Sequence, residues 1–237
     1  MLAKPNAKIR RQLRWPGRAD LRPRRAIYFE NNALINQYVI MQRLAIIAIS
    51  CWSGFLLMGF EMLSGRILAP TFGSSIYVWG AIITVFMLAL SLGYLLGGRL
   101  SMKHPSLAKL CMIHAAAGAM LLPVLVFEAP VLDGVFALVQ DPRAGSLAAC
   151  VILFFAPAAL CGMVTPYAVR LLVEDAHAAG FYAGLQYFFS TFFSAAGTLL
   201  TSFWFVLIFE VNQILLLLVG ITEALALLAF LVSRKKV

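Results

Sequence analysis

Six apolar runs, each near the ~20 residues needed to cross a bilayer, constrain this chain more than any other feature. They fall at about 44–60, 76–98, 107–127, 147–169, 181–209 and 211–233. In lipid every backbone polar group must find a partner inside the protein, so such runs can only be helices or a closed barrel. Runs this long and this uninterrupted exclude strands. The expected fold is therefore an all-α integral membrane protein with six transmembrane helices. Composition agrees: the chain is 62% hydrophobic and 12% charged, with a mean hydropathy of +0.90, far outside the soluble range.

The net charge of +9 does not point to nucleic acid, because the cations are placed by topology. Ten of them lie in residues 1–43, against only Asp20 and Glu30. This stretch, interrupted by Pro5, Pro16 and Pro23, reads as a largely disordered basic tail able to rest on anionic headgroups. With the amino terminus inside, 17 of the 19 Lys and Arg lie on the inner side, including Arg99, Lys103, Lys109, Arg170 and the basic end at 234–237. Only Arg66 and Arg143 remain outside. The positive-inside rule then predicts both termini in the cytoplasm, which for a bacterium means a multi-pass inner-membrane protein. The bilayer is its expected environment, and no nucleic acid partner is expected. The segment MQRLAIIAIS from Met41 also reads as a complete start for a membrane helix.

Cys51, Cys111, Cys150 and Cys161 sit in apolar runs without C-x-x-C spacing, so neither a disulfide framework nor a zinc site is indicated. No metal, cofactor or catalytic residue is expected, since no H-E-x-x-H, Ser-His pair or cysteine nucleophile pattern occurs.

The polar turn after the first run, with Glu61, Arg66, Pro70 and Gly73, precedes a second run ending in Gly93, Gly97 and Gly98. It has an echo further on, in Gly162, Pro166, Arg170 and Gly197. Arg66 to Gly93 and Arg170 to Gly197 both cover 27 residues, and Tyr-Leu-Leu and Thr-Leu-Leu follow the two glycines. The two turns lie on opposite sides of the membrane, which predicts an inverted repeat of three helices plus three, as in each half of a major-facilitator transporter. Coincidence in a low-complexity apolar chain produces such spacings too.

Several residues are candidates for function. Glu61 and Arg66, at the outer end of span one, are an acid and a base that in lipid must pair or face a cavity; the bland reading is that both reach headgroups. Glu223, near the middle of span six, should face the bundle as a ligand-binding or coupling group, or as a protonated packing contact. His114 in span three could join it in a proton relay, or simply pack. Arg170 with Glu174 and Asp175 forms an inner ion cluster, and a gate if the repeat holds. Span five carries a hydroxylated small-residue stripe from Ser190 to Ser202, and Gly93-x3-Gly97 in span two suits close packing against it. Pro157 and Pro166 should kink or break span four, and the short piece Val131–Val139 reads as an interfacial helix or re-entrant stub. Trp79, Trp204 and Tyr77 read as interfacial anchors.

These residues carry a family resemblance. Glu61-x4-Arg66-x-Leu-Ala-Pro70-x-Phe-Gly73-x-Ser-x-Tyr77, then Gly93-Tyr-x2-Gly97-Gly98, and later Gly162-x3-Pro166-Tyr-x2-Arg170 with Gly197-Thr-Leu-Leu, resemble the membrane region of the bacterial fused major-facilitator-like/spermidine synthase proteins. The resemblance covers roughly residues 44–233. It implies a transporter-like membrane module normally joined to a cytosolic spermidine-synthase-like domain. That domain has no room here, and no strand with a glycine-rich nucleotide-binding turn is present, so the chain is not expected to be an enzyme. Two functions follow as expectations. One is a transporter-like protein for a small cation such as a polyamine, for which a six-helix unit would require a homodimer. The other is a non-transporting anchor for a separately encoded cytosolic synthase-like partner.

Overall fold

The computed structural model describes the backbone of residues 18–173 and 176–234, and side chains for 36–173 and 177–234. Among the described residues it is all-helical, without strands. The helices are α1 (Arg18–Phe72), α2 (Ile76–Ser101), α3 (Leu107–Ala119), α4 (Leu122–Leu138), α5 (Pro142–Leu172), α6 (Ala179–Leu200) and α7 (Val211–Arg234). A π-helical segment, Thr201–Phe205, and a final turn, Val206–Ile208, extend α6. Six spans long and apolar enough to cross a membrane result: Asn36–Phe72, Ile76–Ser101, Leu107–Leu138, Pro142–Leu172, Ala179–Ile208 and Val211–Arg234. Their number and order match the apolar runs.

Four local expectations are corrected. The polar stretch after the first apolar run is not a turn: α1 passes through Glu61, Arg66 and Pro70 to Phe72. It ends only at Gly73, whose φ of +77 suits glycine and whose N–H is bonded to the Ala69 carbonyl. The same helix begins at Arg18, within the stretch read as an unstructured tail. Val131–Val139 is no stub, because α4 continues the third span through Pro130, after a break at Met120 and Leu121. Nor do Pro157 and Pro166 break span four, since α5 is continuous through both. A proline removes one N–H and frees one carbonyl, and packing on several sides holds the helix together.

The two most buried spans are the first and the fourth, with 61% and 56% of their most apolar windows enclosed; the fifth has only 11%. At the centre, Phe60 of α1 meets Phe154 of α5 edge-on at 5.4 Å and Phe86 of α2 at 5.5 Å. Aromatic pairs in this geometry add ~0.5–1.5 kcal/mol each beyond burial. A second, inner core gathers Ile46, Ile49, Leu110 and the fully buried Tyr167. The Tyr167 hydroxyl accepts the backbone N–H of Ser106 at 3.2 Å, which joins α5 to the start of α3.

Close approach is set by glycines. A methyl on Gly93 would strike the carbonyl oxygen of Ala159 in α5 and come within 3.0 Å of the Gly162 Cα; one on Gly97 would strike Met163. The partner of Gly93-x3-Gly97 is thus span four, not the hydroxylated stripe of span five. That stripe packs on α1 instead. A methyl on Gly54 would strike the Ser190 carbonyl, and one on Gly197 the Phe55 carbonyl. Trp79, expected at the interface as an anchor, lays its indole over Gly65 of α1, where a methyl would lie 2.8 Å from the ring.

The first and sixth spans are joined by a hydrogen bond from Trp52 Nε1 to Thr222 Oγ1, 2.8 Å long. Trp52→Phe should cost roughly 0.6–1.5 kcal/mol of stability, the range for interhelical bonds in membranes. Thr222→Val should cost a similar amount, and the double variant less than the sum. Thermal unfolding in detergent measures the cycle, and strict additivity would disprove the coupling.

Candidate functional site

The end of the bundle formed by the close of α1 and the α6–α7 hairpin, which the charge bias of the sequence predicts to be the outer one, holds a cavity of about 410 Å³. Three separate elements build it. The last turns of α1 supply Arg66 and Thr71, α4 supplies Glu128 and Asp133, and the tight α6–α7 hairpin with the first turn of α7 supplies Glu210 and Asn212. Each element places its charge for a local reason. Continuity of α1 carries Arg66 past the apolar core to the exposed end. Continuity of α4 through Pro130 brings Glu128 and Asp133 into the wall. The hairpin is held short by Gln213, whose side-chain oxygen accepts the Glu210 N–H at 3.1 Å.

Three carboxylates therefore line one cavity with a single guanidinium. Glu128 Oε2 is buried and has no hydrogen-bond partner among the described residues. The other outer cation, Arg143, is engaged elsewhere: it donates to the Tyr77 hydroxyl at 3.1 Å and lies 4.3 Å above that ring. An acid-rich concave site with unpaired acceptor atoms can take up a small cation bearing several N–H donors, because such a ligand supplies both the missing charge and the missing hydrogen bonds.

A second, smaller cavity of about 150 Å³ lies where spans one, two, four and five meet. Its polar lining is hydroxylic, from Ser53, Tyr94, Thr165, Tyr187, Ser190 and Thr191. Ser53 Oγ donates to the Cys161 carbonyl at 3.4 Å across it. A third, of about 280 Å³, opens between α3 and α7 beside Glu223.

The four binding or coupling candidates from the sequence do not converge. Arg66 lines the outer cavity and Glu223 the α3–α7 cleft; Glu61 and His114 line none of the three. Glu61 and Arg66, five residues apart on an unbroken helix, point about 140° away from each other. Glu61 is half-buried and Arg66 exposed. His114 is fully buried, with neither ring nitrogen bonded among the described residues. Arg170 is exposed in the last turn of α5, and Glu174 and Asp175 lie outside the described residues. From the sequence alone Glu128, Asp133 and Glu210 read as outer-loop residues and not as parts of a site. A signal was present, since the outer segments carry these acids against only Arg66 and Arg143.

Span lengths and hydropathy define a multi-pass helical membrane protein. No family model, curated protein or solved structure matches the chain.

Proposed function

We propose that this is a transporter-like protein of the cytoplasmic membrane, with both ends inside, that takes up or releases a small organic cation. The observation carrying the reading is the outer cavity, in which Glu128, Asp133 and Glu210 oppose Arg66 alone. A net deficit of positive charge in a cavity of this size suits a ligand with two or more ammonium groups. The motif resemblance makes a polyamine the ligand of choice. No catalytic role is proposed.

The proposed architecture is an inverted repeat of three helices plus three, as in half of a major-facilitator fold. Its support is a reciprocal contact. Gly93 abuts the Ala159 carbonyl and Gly197 abuts the Phe55 carbonyl; moving 104 residues along the chain takes 93 to 197 and 55 to 159. The hydroxylic cavity obeys the same shift, since Leu57 and Cys161, Met58 and Gly162, and Leu90 and Ser194 all line it. Binding sites in such repeats lie where the two halves meet.

Uptake of labelled polyamine into proteoliposomes tests the function. The triple variant Glu128→Gln, Asp133→Asn, Glu210→Gln is expected to lower flux at sub-saturating ligand by at least about tenfold, the effect of losing ~1.4 kcal/mol of binding. Undiminished flux, or none with the natural sequence, would overturn the reading.

A further inference from the structure

The seam between α3 and α7 holds a titratable group, midway along a membrane-spanning helix, that the outer cavity does not use. Glu223 sits near the middle of α7, about 16–18 Å from either end at 1.5 Å per residue. Its Oε1 is buried and has no hydrogen-bond partner among the described residues, while the carboxyl also meets the backbone of Ala119 at the end of α3. Gly118 of α3 makes the room for it: a methyl there would come within 2.9 Å of that oxygen. Beside Glu223 and Cys111 the cleft is walled by apolar Met112, Ala115, Leu227 and Phe230, and among the described residues no Lys or Arg lines it. Met112 and Leu227 are 66% and 59% exposed on the outer surface of the bundle, so the cleft opens toward lipid.

The titratable neighbours on the packed elements are few. Cys111 lines the same cleft. His114, one helical turn before Gly118 on α3, is wholly enclosed with both ring nitrogens unbonded. From α1, Cys51 adjoins the Trp52 that bonds Thr222. Glu128 and Asp133, on the α4 helix that also packs on α7, belong to the outer cavity with Glu210. A carboxylate placed among apolar groups without a counter-ion is strongly disfavoured as the anion. Such a group is favoured there as the neutral acid, and Glu223 is the one carboxylate lining this cleft among the described residues.

We infer that Glu223 is a proton-exchange site on the lipid-facing seam of α3 and α7. It holds a proton as the neutral acid and exchanges it through the cleft, at a level of the membrane separate from the outer cavity. The site goes beyond the proposed cation uptake and stands or falls without it.

Dicyclohexylcarbodiimide, a lipid-soluble reagent, tests this on the full chain in liposomes. A protonated carboxyl transfers its proton to a carbodiimide nitrogen while its oxygen adds to the central carbon. The O-acylisourea so formed rearranges to a stable N-acylurea, and no other reactant is consumed. Peptide mapping by mass spectrometry should place the adduct on Glu223 in the natural sequence and in Glu61→Gln, and lose it in Glu223→Gln. Labelling should fall about tenfold per pH unit on the alkaline limb, the slope of one proton, and sodium at fixed pH should not protect. Absence of an adduct on Glu223, a rate indifferent to pH, or protection by sodium would each overturn the inference. Mapping on the natural sequence keeps the test valid even if a variant fails to fold, and no polyamine enters it.

Discussion

Leucine in place of Gly93 is expected to keep the bundle from assembling. The obstacle is backbone: the new side chain would have to occupy the volume of the Ala159 carbonyl and the Gly162 Cα, and neither can rotate away. Overpacking a well-filled core costs about 1–3 kcal/mol when side chains can yield, and more when they cannot. Against the ~5–15 kcal/mol that holds a typical domain together, that loss at a central helix crossing is severe. Gly98 provides the control, since a methyl there meets nothing within 4 Å. Gly98→Leu should leave stability within about 0.5 kcal/mol, or raise it slightly through better helix propensity. Gly197→Leu should repeat the Gly93 defect at the crossing of α1 and α6, where the Phe55 carbonyl blocks it. Thermal midpoints and monodispersity in detergent report all three. Equal tolerance at Gly93 and Gly98 would contradict the packing of α2 on α5.

Opposite shifts in apparent affinity are expected from the two kinds of charge in the outer cavity. Arg66 competes with any cationic ligand for Glu128, Asp133 and Glu210. Arg66→Gln should therefore lower the half-saturating polyamine concentration, and Asp133→Asn should raise it. Arg66 is exposed, so solvent screening limits its share to about 1 kcal/mol, roughly fivefold. Raising the salt from low to physiological should shrink both shifts, because the Debye length falls to ~8 Å. Concentration-dependent uptake measures both. Shifts of the same sign would show that the variants act through folding rather than through charge.

Some of this was legible in advance because bilayer thickness imposes it. Six apolar runs become six spans, and Gly73 ends a helix because few other residues accept its φ. In the sequence Glu61 and Arg66 read as one polar turn, because a proline and two glycines near an acid and a base look like a break. The helix continues because Ser64, Gly65 and Leu68 are held against neighbouring spans. Ser64 bonds back to the Phe60 carbonyl at 2.9 Å, and the Trp79 ring lies over Gly65. In the sequence Glu128 and Asp133 read as loop residues, because Pro130 and two acids lower the local hydropathy. The backbone there keeps its helix, since a proline costs only one of the bonds that hold it.

The amino-acid sequence by itself determined the helical class, the number and order of the spans and the asymmetry of charge across the membrane, because these depend on the length and composition of contiguous segments. Tertiary structure alone decided which glycines face which backbones, that Arg66 shares a cavity with Glu128, Asp133 and Glu210, and that Glu223 lines a separate cleft between α3 and α7 rather than joining them. Those outcomes depend on helix crossings and rotations, set by side-chain volumes on several helices at once. No single segment contains them.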